Sequence, residues 1–193
     1  FMRLPETLPP ERRTPIARRT IIASAREVIA DRMSLGYGVA MAMLSCALFG
    51  FLLSVQQIFE HVFERMDFLP IGFAVMASGM AVASLVNAAI VRRYGMRLIG
   101  HSALMFFTAV AGLHLIVALS GHETLWSFIV LQATMMMGFS LIMGNFNAMA
   151  MENMGNVAGM ASSLQGALAN LAGITIGSAI GQSFNGTTVP LYA

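Results

Sequence analysis

Five long apolar stretches determine what this chain can fold into. A helix needs about 20 apolar residues to cross about 30 Å of hydrocarbon, and each stretch reaches that length with no arginine or acidic residue away from its ends. The stretches are continuous and do not alternate between apolar and polar residues, which excludes the strands of a membrane barrel. We therefore predict an all-α integral membrane protein with transmembrane helices over residues 37–59, 69–91, 98–119, 125–151 and 157–180.

Composition excludes a soluble protein and several kinds of active site. Of 193 residues, 57% are hydrophobic and 10% are charged, whereas a soluble domain carries about 25% charged residues. The single cysteine, Cys46, excludes an intrachain disulfide and a thiolate metal cage, and no histidine pair has metal-ligand spacing. Neither Ser45 nor Cys46 has a histidine or an acid one helical turn away to act as a base. We expect no metal, no cofactor and no enzyme activity.

The basic residues are distributed unevenly between the two sides of the predicted bundle. All eleven of them are arginine, and ten precede the first apolar stretch or lie between the second and the third. Arg65 lies on the other side, together with four acidic residues. Cytoplasmic loops carry an excess of basic residues, so we predict a cytoplasmic N-terminal segment in a multi-pass protein of a bacterial inner membrane. Because the arginines lie in loops between spans, we expect the lipid bilayer as a partner and no nucleic acid.

The residues outside the five stretches divide the chain further. We assign residues 1–13 to the end of a preceding span and a cytoplasmic loop, and residues 14–35 to a basic amphipathic helix on the inner membrane surface. Thr14 is the predicted N-cap and Pro15 the first helical residue, with a solvated linker helix as the alternative. Residues 36–193 form the transmembrane bundle with the start of a further span. Apolar residues at both chain ends lead us to expect a fragment of a larger bundle.

Four stretches carry a resemblance to a transporter family. They are Leu4-Pro5-Glu6-Thr7-Leu8, the arginine-rich helix after it, Arg92-Arg93-Tyr94-Gly95-Met96-Arg97 and Ala158-Gly159-Met160-Ala161-Ser162-Ser163-Leu164. In order and spacing they resemble the major facilitator superfamily, in particular its twelve-helix drug/proton antiporters of the bicyclomycin-resistance/CflA type. The resemblance implies that the five stretches are helices seven to eleven, in the second six-helix bundle, and that the N-terminal half of the same transporter is missing.

The resemblance also implies a function. The expected activity is proton-coupled efflux of drugs or other small apolar or cationic molecules by alternating access. A metabolite or sugar transporter of the same fold is the alternative, and it would favour more charged or aromatic groups in the cavity than this sequence provides. No acidic residue lies inside an apolar stretch, so we expect a proton-coupling carboxylate in the missing half.

Helices seven and ten line the central cavity in the resembling family, and helical spacing selects one face on each. The candidates for the substrate cavity are Ser45, Phe49, Gln56, Gln132, Met136, Phe139, Ser140 and Asn147. Four of them are expected to point into the concave face of the bundle: Gln56, Gln132, Phe139 and Asn147. Mixed aromatic, methionine and neutral amide side chains suit the loose recognition of apolar or weakly basic molecules. Ordinary core packing is the alternative for each residue.

The loop between the second and third stretches contains a basic motif of the family. Its residues are Arg92, Arg93, Gly95 and Arg97. The first-half copy of this motif usually includes an acid, whereas Asn87 precedes the arginines here. Two interpretations stay open, a role in charge relay or gating and a role that only fixes the topology of the loop.

Three glycines and one histidine inside the stretches are further candidates. Gly173, Gly177 and Gly181 repeat every four residues, a spacing that lets two helix backbones approach closely. We predict a contact that slides against a helix of the missing half, with static packing against helix ten or twelve as the alternative. His114 has no partner acid among its neighbours in the sequence, so we expect a core histidine, with a proton relay as the alternative.

Overall fold

The computed structural model describes residues 18–192, and this part of the chain is helical apart from short connections. Its α-helices are α1 (Arg18–Ala30), α2 (Arg32–Gln57), α3 (Leu69–Tyr94), α4 (Met96–Leu119), α5 (Leu125–Ala150), α6 (Ala158–Gln182) and the short α7 (Val189–Tyr192). No strand occurs in residues 18–192, and five of the helices are long and apolar enough to cross a membrane. The predicted all-α membrane fold with five spans is confirmed.

Part of the prediction for the N-terminal segment falls outside the described residues. This part comprises the end of a preceding span at Phe1, the stretch Leu4-Pro5-Glu6-Thr7-Leu8, and the helix start at Thr14 and Pro15. Within the described residues, α1 packs against α6. Its Val28 is buried in a small apolar cluster with Met154 and Ala161.

A single residue, Asp31, separates α1 from α2. Its carboxylate accepts the backbone N–H of Ser34 at 2.7 Å, which satisfies one of the free N–H groups in the first turn of α2. The side-chain N–H of Asn153 donates to the same carboxylate at 3.1 Å. These bonds, that of Ser34 first, lower the pKa of Asp31. A new helix therefore begins after Asp31, and the amphipathic helix predicted over residues 14–35 ends at Ala30 instead.

The helices α2 and α5 form the centre of the bundle. α2 packs along α6 and α5, and α5 also packs against α3 and α4. One apolar core lies among α2, α4 and α5, and a second lies among α2, α3 and α5. The largest fully buried apolar side chains are Phe59, Phe128, Phe146, Ile58, Ile129, Ile142 and Met149. Because lipid is as apolar as these side chains, close packing between them holds such helices together.

The turns between helices place different charges at the two ends of the bundle. α3 and α4 are joined by one residue, Gly95, whose φ of 78° lies in the left-handed region that favours glycine. We call this end the arginine end, and it carries Arg18, Arg19, Arg26, Arg32, Arg92, Arg93 and Arg97. The opposite end is the acidic end, and it carries Glu60, Glu64, Arg65, Asp67 and Glu123.

Candidate functional site

The predicted cavity residues of α5 do not share an open face. Gln132, Met136 and Phe139 are buried where α5 meets the neighbouring helices, and the Ser140 hydroxyl donates to the backbone oxygen of Met80 on α3 at 3.2 Å. This placement corrects the expectation that Gln132 and Phe139 point into the concave face. An α5 that is apolar on every side offers no polar stripe to fix its rotation, and the described helix turns these side chains inward.

Asn147 is the one predicted cavity residue of α5 that is exposed. It lies near the arginine end of the helix. Its neighbour Asn145 is buried instead, and the Asn145 amide donates to the Asn87 side-chain oxygen on α3 at 2.8 Å. Asn87, the residue that precedes the arginines of the basic loop, thus joins α3 to α5 through its side-chain amide.

The predicted cavity residues of α2 point in three different directions. The Ser45 hydroxyl is buried and donates to the backbone oxygen of Met41 within its own helix, at 2.9 Å. Phe49 lies against the backbone of α6. Gln56 is exposed near the acidic end. Of the α2 set, Gln56 alone therefore presents a hydrogen-bonding group on the surface of the described bundle.

The glycine stripe of α6 lies against α2. A Cβ atom at Gly173 would be 2.5 Å from the Phe49 ring, and one at Gly177 would be 2.6 Å from Phe49 Cβ. A Cβ atom at Gly181 would be 3.1 Å from Leu53 Cβ. We predicted that the stripe contacts a helix of the missing half or, as the alternative, helix ten or twelve. The observed partner is α2 instead. The stripe faces helix seven of the same bundle, because the absence of side chains there lets α2 and α6 approach along most of their length.

The arginines of the basic loop are exposed at the arginine end. The Arg93 guanidinium lies 5.3 Å from the centre of the Tyr94 ring, and an Arg97 side-chain nitrogen lies 3.8 Å from Met33 Sδ. Within residues 18–192, no acidic residue forms an ion pair with Arg92, Arg93 or Arg97. Both interpretations of this loop, gating and topology, stay predictions.

The acidic end contains a buried ionisable pair that sequence analysis missed. His114 Nε2 lies 2.7 Å from Glu123 Oε1, and the two side chains are 0% and 7% exposed. The expectation that His114 has no partner acid is therefore wrong. The partner comes from the α4–α5 loop, nine residues further along the chain. A signal for it was present in the sequence, because Gly121, which adopts a φ of 70°, allows a tight turn that folds Glu123 back onto α4.

Residues near the C-terminal end of the described chain complete the surroundings of this pair. The Thr188 hydroxyl donates to the second carboxylate oxygen of Glu123. The Tyr192 ring stacks on the His114 imidazole, with the ring centres 3.9 Å apart. The Tyr192 hydroxyl in turn donates to the Gln132 side-chain oxygen at 2.9 Å. The pair therefore ties α4, α5 and α7 together inside the bundle.

A groove between α2 and α6 opens near the acidic end. It has a volume of about 220 Å³ and is lined by Leu53, Gln57, Ser178, Gly181 and Gln182. Its polar groups are neutral amides and one hydroxyl, and its lining contains no charged residue and no aromatic ring. Within residues 18–192, no cluster of three or more His, Cys, Asp or Glu side chains has the geometry of a metal site. The groove is therefore suited to small molecules of low charge.

Comparison with known proteins identifies the family. The Major Facilitator Superfamily profile matches residues 1–178. The chain belongs to the major facilitator superfamily. A curated relative is an uncharacterized MFS-type transporter, YdgK, of Bacillus subtilis (strain 168), which is 25% identical over 196 residues. The match covers 100% of this chain and 48% of that protein, so the chain spans about half the length of its relative. No solved structure matches the chain.

Membership of this superfamily agrees with the five apolar helices of the fold. The family is one of multi-pass membrane transporters, and the described chain has five helices long and apolar enough to cross a lipid bilayer.

Proposed function

We propose that this chain is the second half of a secondary transporter that exports small apolar or weakly cationic molecules in exchange for protons. The groove between α2 and α6 carries this proposal. It offers neutral amide groups at Gln57 and Gln182 beside apolar surface at Leu53. Such a lining stabilises apolar molecules and binds a weak base through single hydrogen bonds, and it contains no fixed charge that selects one ionic substrate.

Exposed amides on the spanning helices support the same assignment. Gln56 and Asn147 are exposed on α2 and α5. An amide without a hydrogen-bond partner in hydrocarbon costs about 2–7 kcal/mol, so these side chains favour a water-filled space over lipid. We infer that this space lies between the two halves of the transporter, which rock around a site near the middle of the membrane. The arginine end then faces the cytoplasm of a bacterial cell.

Substitution of the groove amides in the full-length transporter tests the proposal. Gln57→Leu and Gln182→Leu each remove one hydrogen-bonding group worth about 1 kcal/mol, which is about a fivefold change in affinity. We expect resistance to weakly basic compounds to fall about fivefold, while resistance to uncharged apolar compounds stays unchanged, with protein abundance measured in parallel. Thr108→Val is the matched control, because Thr108 is an exposed polar residue on α4 whose hydroxyl is satisfied within its own helix.

Two outcomes would contradict the proposed function. Equal loss of resistance to every compound, in proportion to protein abundance, would assign the groove amides to packing. Uptake of a metabolite or sugar by the wild-type transporter, with no change in drug resistance on deletion, would favour the importer of the same fold. The lining of the groove argues against a sugar, because it lacks an aromatic ring on which a sugar can stack.

A further inference from the structure

Glu123 is a carboxylate that the fold removes from water. Its side chain is 7% exposed, and it receives hydrogen bonds from His114 Nε2 and from the Thr188 hydroxyl. With a neutral imidazole the pair holds one net negative charge, and with one more proton the pair has no net charge. A buried charge is expensive when no opposite charge lies beside it. The interior of the bundle therefore favours the pair with the additional proton.

Among the described residues around this pair, His114 is the one side chain that can carry a positive charge. The α4–α5 loop contributes Glu123, α7 contributes Tyr192, and α5 contributes the Phe128 ring, edge-on at 5.6 Å. The neutral Gln132 amide of α5 contacts the Tyr192 hydroxyl. The sequence contains no lysine, and within residues 18–192 no arginine lies at ion-pair distance from Glu123. The Tyr192 ring also favours a protonated imidazole, because the face of an aromatic ring attracts a cation.

We propose that His114 and Glu123 form a proton-binding site whose occupancy is linked to the docking of α7 on α4 and α5. The proton comes from an acid in water and forms an N–H bond on the imidazole, so His114 becomes an imidazolium beside the Glu123 carboxylate. The two polar side chains of residues 188–192 contact this pair: Thr188, just before α7, bonds to the carboxylate, and Tyr192 of α7 stacks on the imidazole. If the docked state binds the proton more tightly, then the proton favours docking by the same factor.

One atom of the site limits this linkage. Among the described residues, His114 Nδ1 is buried without a hydrogen-bond partner, so an N–H at that position has no acceptor there in the docked arrangement. An unpaired N–H is unfavourable in the interior, and it opposes the gain from the ion pair. For the protonated pair, the ion pair favours the docked state and the unpaired N–H opposes it. The free-energy difference between the docked and undocked states is therefore smaller than the ion pair alone would give.

The inference deepens the proposed function, and its link to transport rests on that function. Under the proposed orientation the acidic end faces the outside, from which protons enter a bacterial cell. A proton bound there would fix the start of the helix that follows α6 and change the outer end of the bundle. The site itself rests on its geometry alone, so its tests need no substrate and no transport assay.

Nitrogen-15 NMR of histidine side chains tests proton binding directly. The sequence contains four histidines, and His114→Asn assigns the signal of interest in the full-length transporter in lipid nanodiscs. We expect the His114 signal to change between pH 5 and pH 8, and we expect Glu123→Gln, which keeps the shape and removes the charge, to alter that change. A His114 signal that is the same at every pH from 5 to 8, or a pH response that Glu123→Gln leaves unchanged, would overturn the proposal.

Cysteine labelling tests the link to docking. In a Cys46→Ala background, Val189→Cys reports the half-buried start of α7, and Asn185→Cys is the exposed reference on the same segment. The ratio of their maleimide labelling rates corrects for the ionisation of the thiol itself. We expect protection at position 189 to increase several-fold from pH 8 to pH 6, and to lose this pH dependence in Glu123→Gln.

The outcomes separate this proposal from the proposed function. Equal protection of position 189 at both pH values, with folding of each variant verified by its elution profile, would show that α7 docks independently of the proton. In contrast, groove substitutions that leave efflux unchanged would contradict the proposed function and would not affect the histidine titration. If His114 binds a proton but the docking of α7 does not depend on pH, then proton binding and docking are not linked, and the proposal is contradicted.

Discussion

Two loops at the acidic end each place an acid beside a basic side chain, and they differ in where the pair lies. In the α2–α3 connection, Arg65 and Asp67 form a two-pronged contact at 3.0 and 3.2 Å, with side chains that are 50% and 64% exposed. In the α4–α5 connection, Glu123 turns inward to His114 and both side chains are buried. The carboxylate of the α2–α3 connection is therefore exposed to water, whereas the carboxylate of the α4–α5 connection is buried in the bundle.

This difference shows that burial decides what an ionisable residue can do. An exposed pair exchanges its partners for water at little cost and contributes little to stability. A buried pair leaves an uncompensated charge in the interior when either partner is lost. Counting charges in loops identifies the two sides of the membrane, but it gives the same weight to Asp67 and Glu123. The contacts that separate them come from the three-dimensional fold.

The largest effect is expected when the buried pair is broken. His114→Leu leaves the Glu123 carboxylate inside the bundle without its partner, and we expect the free energy of unfolding to fall by about 3–5 kcal/mol. The double variant His114→Leu/Glu123→Leu removes both ionisable side chains and should recover most of that loss. Denaturant unfolding in detergent measures both values. Equal destabilisation by the single and the double variant would show that lost packing, not lost pairing, is responsible.

A smaller effect is expected when the carboxylate keeps His114 but loses its second hydrogen bond. Thr188→Val preserves the shape of the side chain and removes the hydroxyl that donates to Glu123. We expect a loss of about 1–3 kcal/mol in the free energy of unfolding, because a buried acceptor then lacks one donor. Thr187→Val is the matched control, because the neighbouring Thr187 is exposed. Similar losses in both variants would contradict the assigned role of Thr188.

Asp31 extends the comparison to an acid at the arginine end. Hydrogen bonds from the Ser34 backbone N–H and then from Asn153 lower the pKa of Asp31. The carboxylate therefore stabilises the fold at pH values above its ordinary pKa of 3.8, and this stabilisation is lost as the pH falls through the lowered pKa of the folded state. We expect hydrogen exchange at the Ser34 amide to be slow near pH 6 and to lose relative protection below about pH 4. Asn also caps helices well, so Asp31→Asn should keep the protection and lose its pH dependence. A wild-type protection factor that is constant with pH would contradict the assignment.

The smallest effect is expected at the exposed pair. Arg65→Ala removes the contact with Asp67 and the packing of the guanidinium over the Phe68 ring, which it approaches to 4.2 Å. We expect no resolvable change in the midpoint of unfolding, because both charged groups remain hydrated. A loss as large as that caused by His114→Leu would remove the distinction between the two loops.

The helices could be predicted from the sequence because their signal is local. Runs of about 20 apolar residues predict spans wherever they occur, and the described helices extend them by a few residues. α2, for example, begins at Arg32 and not near residue 37, because a charged first turn can lie outside the hydrocarbon. A helix start at Asp31 was also readable, since a carboxylate followed by Ser34 three residues later is a capping pattern.

The site could be predicted less well because it depends on how the helices are rotated and where the loops fold. α5 is apolar on every side, so the spacing of Gln132 and Phe139 did not determine whether they face a cavity or the core. The pairing of His114 with Glu123 depends on the turn at Gly121, and the contact with Tyr192 depends on a segment 78 residues further along the chain. The turn has a local signal in Gly121, whereas the contact with Tyr192 has no short-range pattern in the sequence.

Double-mutant cycles at the two loops test the account most directly. Each cycle measures the free energy of unfolding of the wild type, two single variants and the double variant, at pH 6 and at pH 8. For His114→Leu with Glu123→Leu we expect a coupling energy of at least about 3 kcal/mol, because the single variant His114→Leu costs about 3–5 kcal/mol and the double variant recovers most of it. We expect this coupling to be larger at pH 6 than at pH 8 if the pair binds the proposed proton. For Arg65→Ala with Asp67→Ala we expect a coupling within error of zero at both pH values. Equal coupling in the two loops, or a His114–Glu123 coupling that does not depend on pH, would contradict the account.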